Sequence, residues 1–283
     1  MEPLFYGGKT KCVTFSFDDG VTQDRRLVEL FNKYKVRGTF NLNSGCFGKT
    51  GMVSDPAFIR EATHNKIEAD EVAALYAGHE VAVHTVSHPN LVFLDQEAIR
   101  YEIGEDRKNL EKLVGYPVTG MAYPYGPYDD TVLAVMRECG ISYSRTVQST
   151  NSFAIPRDFL MWHPSCHFGD DVMAELIGRF LDDNEERQPY QTRELFYIWG
   201  HSYELDGRDS WEKMEETLKT LSGREDIWYA TNGEICEYEN AVRRLICNAD
   251  RTMAKNPSAL PVWLSVDGQP VEVKPGEIKH LLK

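Results

Sequence analysis

Short runs of β-branched and aromatic residues alternate with helix-period apolar stripes along most of this chain, and that alternation limits the fold more than any other feature. Residues 12–17 are strand-like, and Leu27, Leu30, Phe31 and Tyr34 then recur at i, i+3, i+4 and i+7 as one face of a helix. Further strands are expected at residues 38–42, 81–83, 118–123, 141–146, 195–199 and 227–230. Between them, helices carry Ile99, Ile103, Leu110 and Leu113, then Val132, Val135 and Met136, then Met173, Leu176, Ile177 and Phe180, then Trp211, Met214, Leu218 and Leu221. Asp95 and Ser210 are candidate N-caps, and Thr231 with Glu234 forms a capping-box pattern. Repeated strand–helix units imply an α/β protein with a mostly parallel sheet, and this many units favour closure into a barrel.

From about residue 249 the character changes. Asp267-Gly268 between two apolar runs is a hairpin signal, so residues 1–248 are read as a catalytic barrel and residues 249–283 as a small C-terminal β-hairpin extension.

The chemistry-bearing residues follow strands. Asp18-Asp19-Gly20 ends the first run and His84 and His88 follow the third. In parallel βα architectures the carboxyl ends of the strands converge on one face, where the active site lies. Two histidines and one carboxylate can hold a divalent metal with positions left open, and the second aspartate stands beside it to activate water. One helical turn would put both imidazoles on the same side, and Pro89 ends that turn at His88.

Asp18-Asp19-Gly20, the H-x-x-S-H pattern of residues 84–88, Tyr123-Pro124-Tyr125-Gly126 and Trp199-Gly200-His201-Ser202 occur in the order that marks the polysaccharide deacetylases, or NodB-homology family. The chain resembles that family over roughly residues 10–235. The resemblance implies a distorted (β/α) barrel with about seven parallel strands. It implies metal ligation by Asp19, His84 and His88, with zinc favoured and cobalt, nickel or manganese compatible. It also implies Asp18 as general base, the Tyr125 amide as donor to the developing oxyanion, and His201 as general acid. Glu204 is expected to orient His201 or bind a sugar hydroxyl. His167 is expected to line the pocket, and Trp162, Trp199, Tyr125 and Tyr203 are aromatic candidates for stacking on a sugar ring.

Two departures stand out. The family's arginine before the Tyr-Pro-Tyr position is Ala122 here, and the acidic and tryptophan signature of the next motif is not recognisable. Arg145, ending the following strand, is the expected substitute partner for Asp18.

The expected activity is metal-dependent removal of acetyl groups from N- or O-acetylated sugars. A non-sugar amidase on the same barrel and a carbohydrate-binding pseudoenzyme are the alternatives. The net charge of −13 argues against nucleic acid and anionic membrane surfaces as partners. Without an export signal or an 18-residue apolar stretch, and with six cysteines lacking C-x-x-C spacing, a cytoplasmic location is expected.

Overall fold

The computed structural model describes residues 2–182 and 192–281. Strands β1 (Lys11–Asp18), β2 (Gly38–Leu42), β3 (Glu80–Val83), β4 (Gly120–Ala122), β5 (Tyr143–Arg145), β6 (Cys166–His167) and β7 (Glu194–Gly200) form one parallel sheet in the order β5-β4-β3-β2-β1-β7-β6. β1 is buried along its whole length, because β7 flanks it on one side and β2 on the other. Its run of Cys, Val, Thr and Phe suits a strand covered on both faces. The last strand, β8 (Ile227–Tyr229), pairs with residues 11–13 of β1, below the point where β2 joins at Phe15.

The sheet curls into a distorted barrel. Segment 162–167 meets both of its edges: the Trp162 amide donates to the Ser144 carbonyl of β5 at 3.0 Å, and the Ser165 amide donates to the Tyr197 carbonyl of β7 at 2.9 Å. Helices pack outside, and the main core lies between them and the sheet, with Phe15, Phe17, Phe31 and Phe40 at its centre.

Local signals account for the helix limits. Asp95 accepts from the Ala98 amide at 2.9 Å and opens the helix Gln96–Val114, which ends at left-handed Gly115. Thr231 and Glu234 form the expected capping box on the helix Asn232–Arg243. Ser210 precedes the helix Trp211–Leu221, but its side chain makes no cap hydrogen bond. Leu205 takes its backbone amide at 2.9 Å, and its backbone is not extended as a capping residue requires.

At the C-terminal end, Val262–Val266 and Gln269–Val273 pair antiparallel around Asp267-Gly268. Both turn residues have positive φ, as a two-residue hairpin turn of this hand requires. Glu2–Pro3 adds a third strand. Ile246–Cys247, Met253–Lys255 and Ile278–His280 form a second small sheet beside it. No helix among the described residues is long and apolar enough to cross a membrane.

Candidate active site

The carboxyl ends of the strands open on a pocket of about 550 Å³, lined among others by Asp18, Asp19, His84, His88, Tyr125 and His201. Asp18 is the last residue of β1 and almost fully buried. Its Oδ1 accepts from Asn41 Nδ2 of β2 at 2.8 Å, and its Oδ2 pairs with the Arg145 guanidinium. Burial by itself raises the Asp18 acid, but Arg145, with His84 and His201, brings it below the ordinary carboxylate value.

Arg145 is 0 % exposed, with its guanidinium 4.2 Å from the Trp199 ring centroid. It is the register partner of Ala122 across β4 and β5. The methyl group of Ala122 therefore stands beside the strand position from which a guanidinium reaches Asp18.

Asp19 turns the other way because its φ is 81°, an uncommon value for a non-glycine residue. Its Oδ2 lies 3.1 Å from His64 Nε2 and its Oδ1 lies 3.1 Å from Lys66 Nζ. Lys66 also donates to the Asp19 carbonyl at 2.8 Å. Against the cost of burial, the His64 hydrogen bond and the Lys66 charge hold the Asp19 carboxyl well below its usual range.

His84 and His88 do not share a helical turn. Thr85 and His88 both have positive φ, at 69° and 62°, so residues 84–88 form a looped turn in which the His88 amide donates to Thr85 Oγ1 at 3.0 Å. Proline at 89 disfavours the right-handed helical region at His88, and the backbone takes the left-handed alternative. The two rings still meet, with centroids 4.8 Å apart.

His84 Nδ1 donates to the Ala122 carbonyl at 2.8 Å, which leaves Nε2 as the acceptor nitrogen. That Nε2 is buried with no hydrogen-bond partner among the described residues. Burial lowers the His84 pKa to about 4, so the ring is neutral near pH 7, the form that binds metal. Ligand atoms of Asp19, His84 and His88 all lie within 4.8 Å of one another. Two neutral imidazoles, one carboxylate and an orphaned buried nitrogen fit a divalent metal.

His201, just beyond β7, has Nδ1 2.7 Å from Glu204 Oε1 and Nε2 3.8 Å from Asp18 Oδ2. Desolvation disfavours its charge, but the hydrogen bond to Glu204 and the Asp18 carboxylate outweigh this and raise its pKa. Glu204 Oε1 is shared with His167 Nε2 at 3.1 Å. Tyr203 packs with its ring centroid 5.0 Å from that of His201.

Tyr125, with φ 63°, is largely exposed and sets its ring edge-on to His88. Its amide has no acceptor among the described residues. Trp199 lines the pocket but is only 8 % exposed. Trp162 is not available to a sugar: it is buried against Tyr143, Phe159 and Tyr197 on the opposite side of the sheet from the main core.

Sequence reasoning missed four contributors. Asn41 steadies Asp18; His64 and Lys66 steady Asp19; and Asp106, on the helix Gln96–Val114, accepts the amides of Ser44 at 2.7 Å and His84 at 3.0 Å. Only Asp106 carried a signal, as a charged residue three positions from Ile103 and four from Leu110 on the apolar side of its helix.

A family model described as polysaccharide deacetylase matches residues 6–144. That span is just under half of the chain, and over it the chain is similar to the polysaccharide deacetylases. Over 90 residues it is 32% identical to chitin deacetylase 1 of Cryptococcus neoformans, covering 31% of this chain and 19% of that protein. Over 196 residues it is 25% identical to a poly-β-1,6-N-acetyl-D-glucosamine N-deacetylase of Staphylococcus aureus, covering 63% of each. The chain thus spans less than two thirds of either relative. A putative polysaccharide deacetylase from Mycobacterium smegmatis superposes with a TM-score of 0.57 at 17% identity, covering 86% of this chain and 95% of that one, a likeness of fold.

Proposed function

We propose that this chain is a divalent-metal-dependent hydrolase that removes acetyl groups from N- or O-acetylated sugars. The observation that carries the reading is the orphaned Nε2 of His84, buried beside Asp19 and His88 in the pocket that also holds Asp18 and His201.

Asp19, His84 and His88 would hold the ion, with zinc favoured. When bound, such an ion supplies a Lewis acid that lowers the pKa of water and polarises a carbonyl. Asp18, kept ionised by Arg145, accepts the proton of the attacking water. The Tyr125 amide, fixed by the turn at Pro124, donates to the negative charge that develops on the acetyl oxygen. His201 holds its Nδ1 proton on Glu204 and delivers a proton from Nε2 to the departing amine or alkoxide. Acetate and the deacetylated sugar leave.

The pairing of Arg145 with Asp18 weakens the pseudoenzyme reading, because the candidate base keeps an arginine partner although Ala122 stands at the family's arginine position. Acetate release should be measured on a panel of N- and O-acetylated sugars and simple acetamides, before and after chelation. Release from sugars, abolished by chelation and restored by Zn²⁺ or Co²⁺, is expected. Full activity in a verified metal-free sample rejects the mechanism, and release from acetamides alone favours the amidase.

A further inference from the structure

A second cavity of about 240 Å³ adjoins the pocket on the far side of Arg208, a residue that lines both. Among the described residues its only charged lining residues are Arg208 and Lys213, in a chain whose net charge is −13. Met173 and Met214 supply apolar walls, and Ser210 sits on the rim of the helix Trp211–Leu221.

One of its polar atoms is orphaned: Ser210 Oγ is buried without a hydrogen-bond partner among the described residues. Arg208 Nε lies 3.3 Å from Glu204 Oε2, which fixes the side chain, but the guanidinium makes no hydrogen bond with the described residues. Gly169 lets it cross: a Cβ there would stand 3.0 Å from Arg208 Cζ. Lys213 is exposed and has no ion-pair partner among the described residues. Buried polar atoms are seldom left unpaired, because each costs the desolvation it does not recover. Glu204 pairs with Arg208 from the side of the larger pocket, but the terminal nitrogens of Arg208, the Lys213 ammonium and the Ser210 hydroxyl keep hydrogen-bonding capacity, and no carboxylate lines the cavity among the described residues, which is the equipment of an anion site.

We propose that Arg208, Lys213 and Ser210 form a subsite for an anionic group, phosphate or carboxylate, carried by the acetylated sugar. Arg208 is joined to His201 through Glu204, so two side chains would link the anion to the group that protonates the leaving atom. The assignment rests on the deacetylase reading, which it narrows to anionic acetylated sugars.

The test uses the zinc-loaded full chain with N-acetylglucosamine, its 6-phosphate and N-acetylmuramic acid as substrates. The kcat/KM for at least one anionic sugar should exceed that of the neutral sugar by about tenfold, as expected for a hydrogen bond to a charged group. Lys213→Met should cut kcat/KM for the anionic sugar by about tenfold more than for the neutral one, and Lys213→Arg should restore the preference. The separation of phosphate from carboxylate preference identifies the anion. Equal kcat/KM on all three sugars, or an equal fall on all three in Lys213→Met, overturns the proposal. Calorimetry with inorganic phosphate separates the two ideas. If no sugar is deacetylated the hydrolase reading falls, whereas phosphate binding that Lys213→Met leaves intact removes the subsite whatever the activity.

Discussion

Arg145 shows how much one side chain carries. It is wholly buried, and its counter-ion Asp18 is almost so, so removal of either leaves the other charge without its counter-ion in a poorly solvated place. Arg145→Ala is expected to cost on the order of 3–5 kcal/mol of stability in urea denaturation and to lower turnover sharply. Turnover equal to wild type would mean that Asp18 is positioned without it. The sequence supplied this pairing only through strand register: Ala122 lacked the arginine, and the end of the neighbouring strand was the nearest place for another. His201 invites a different measurement. If its Nε2 protonates the leaving atom, His201→Ala should slow amide substrates by roughly 10²–10⁴-fold and activated aryl acetates much less, because an aryl oxide leaves without a proton. Equal losses on both substrate types would count against His201 as the acid.

At the level of elements, the strand ends were legible and the connections were not. Asp18, His84 and His201 each follow an apolar run that a period of two or a buried-strand composition reveals. His64 and Lys66 lie in a stretch with no usable period, and they reach Asp19 only because residues 65–67 run antiparallel to residues 20–22, with the Ile67 amide on the Gly20 carbonyl at 2.9 Å. The geometry of residues 84–88 was misread for a local reason: same-side placement was assigned to a helical turn, whereas two left-handed residues achieve it. Asp24, at the start of the helix Asp24–Tyr34, ties that helix to the turns at Ser202 and Tyr76 through hydrogen bonds from Ser202 at 2.5 Å and Tyr76 at 2.6 Å. Burial, only partly offset by those bonds, raises its pKa to about 7. The unfolded carboxyl ionises near 4, so between about pH 4 and pH 7 the unfolded state binds fewer protons and stability falls as pH rises. Asp106, also raised to about 7, contributes with the same sign. His79 and His84, lowered to about 4 by burial, contribute with the opposite sign, so the test is the difference between variants: in urea denaturation across this window the slope of stability against pH should be more positive for Asp24→Asn than for wild type, and an unchanged slope would place the Asp24 titration elsewhere.

For the molecule as a whole, the barrel gathers groups from strand ends that are up to about 180 residues apart in the chain, counting from Asp18 to His201. Such a pocket stores cost: Asp19, Thr85, His88 and Tyr125 all hold positive φ, and His84 Nε2 is buried without a partner. A ligand that binds only the folded arrangement recovers part of that cost, and the linkage is quantitative. An ion at about 1,000 times its Kd adds about 4 kcal/mol to folding. For a chain of this size that corresponds to an increase in Tm of roughly 8–16 °C, at roughly 2–4 °C per kcal/mol. Differential scanning calorimetry of chelated protein titrated with Zn²⁺ should show that rise in the wild type. His84→Ala, which deletes the orphaned nitrogen, should abolish or strongly reduce it, whereas Asp18→Asn should largely retain it because Asp18 serves the proton rather than the ion. A Zn²⁺ shift undiminished in His84→Ala would move the ion away from Asp19, His84 and His88, and with it the account of why this barrel tolerates so much strain at one mouth.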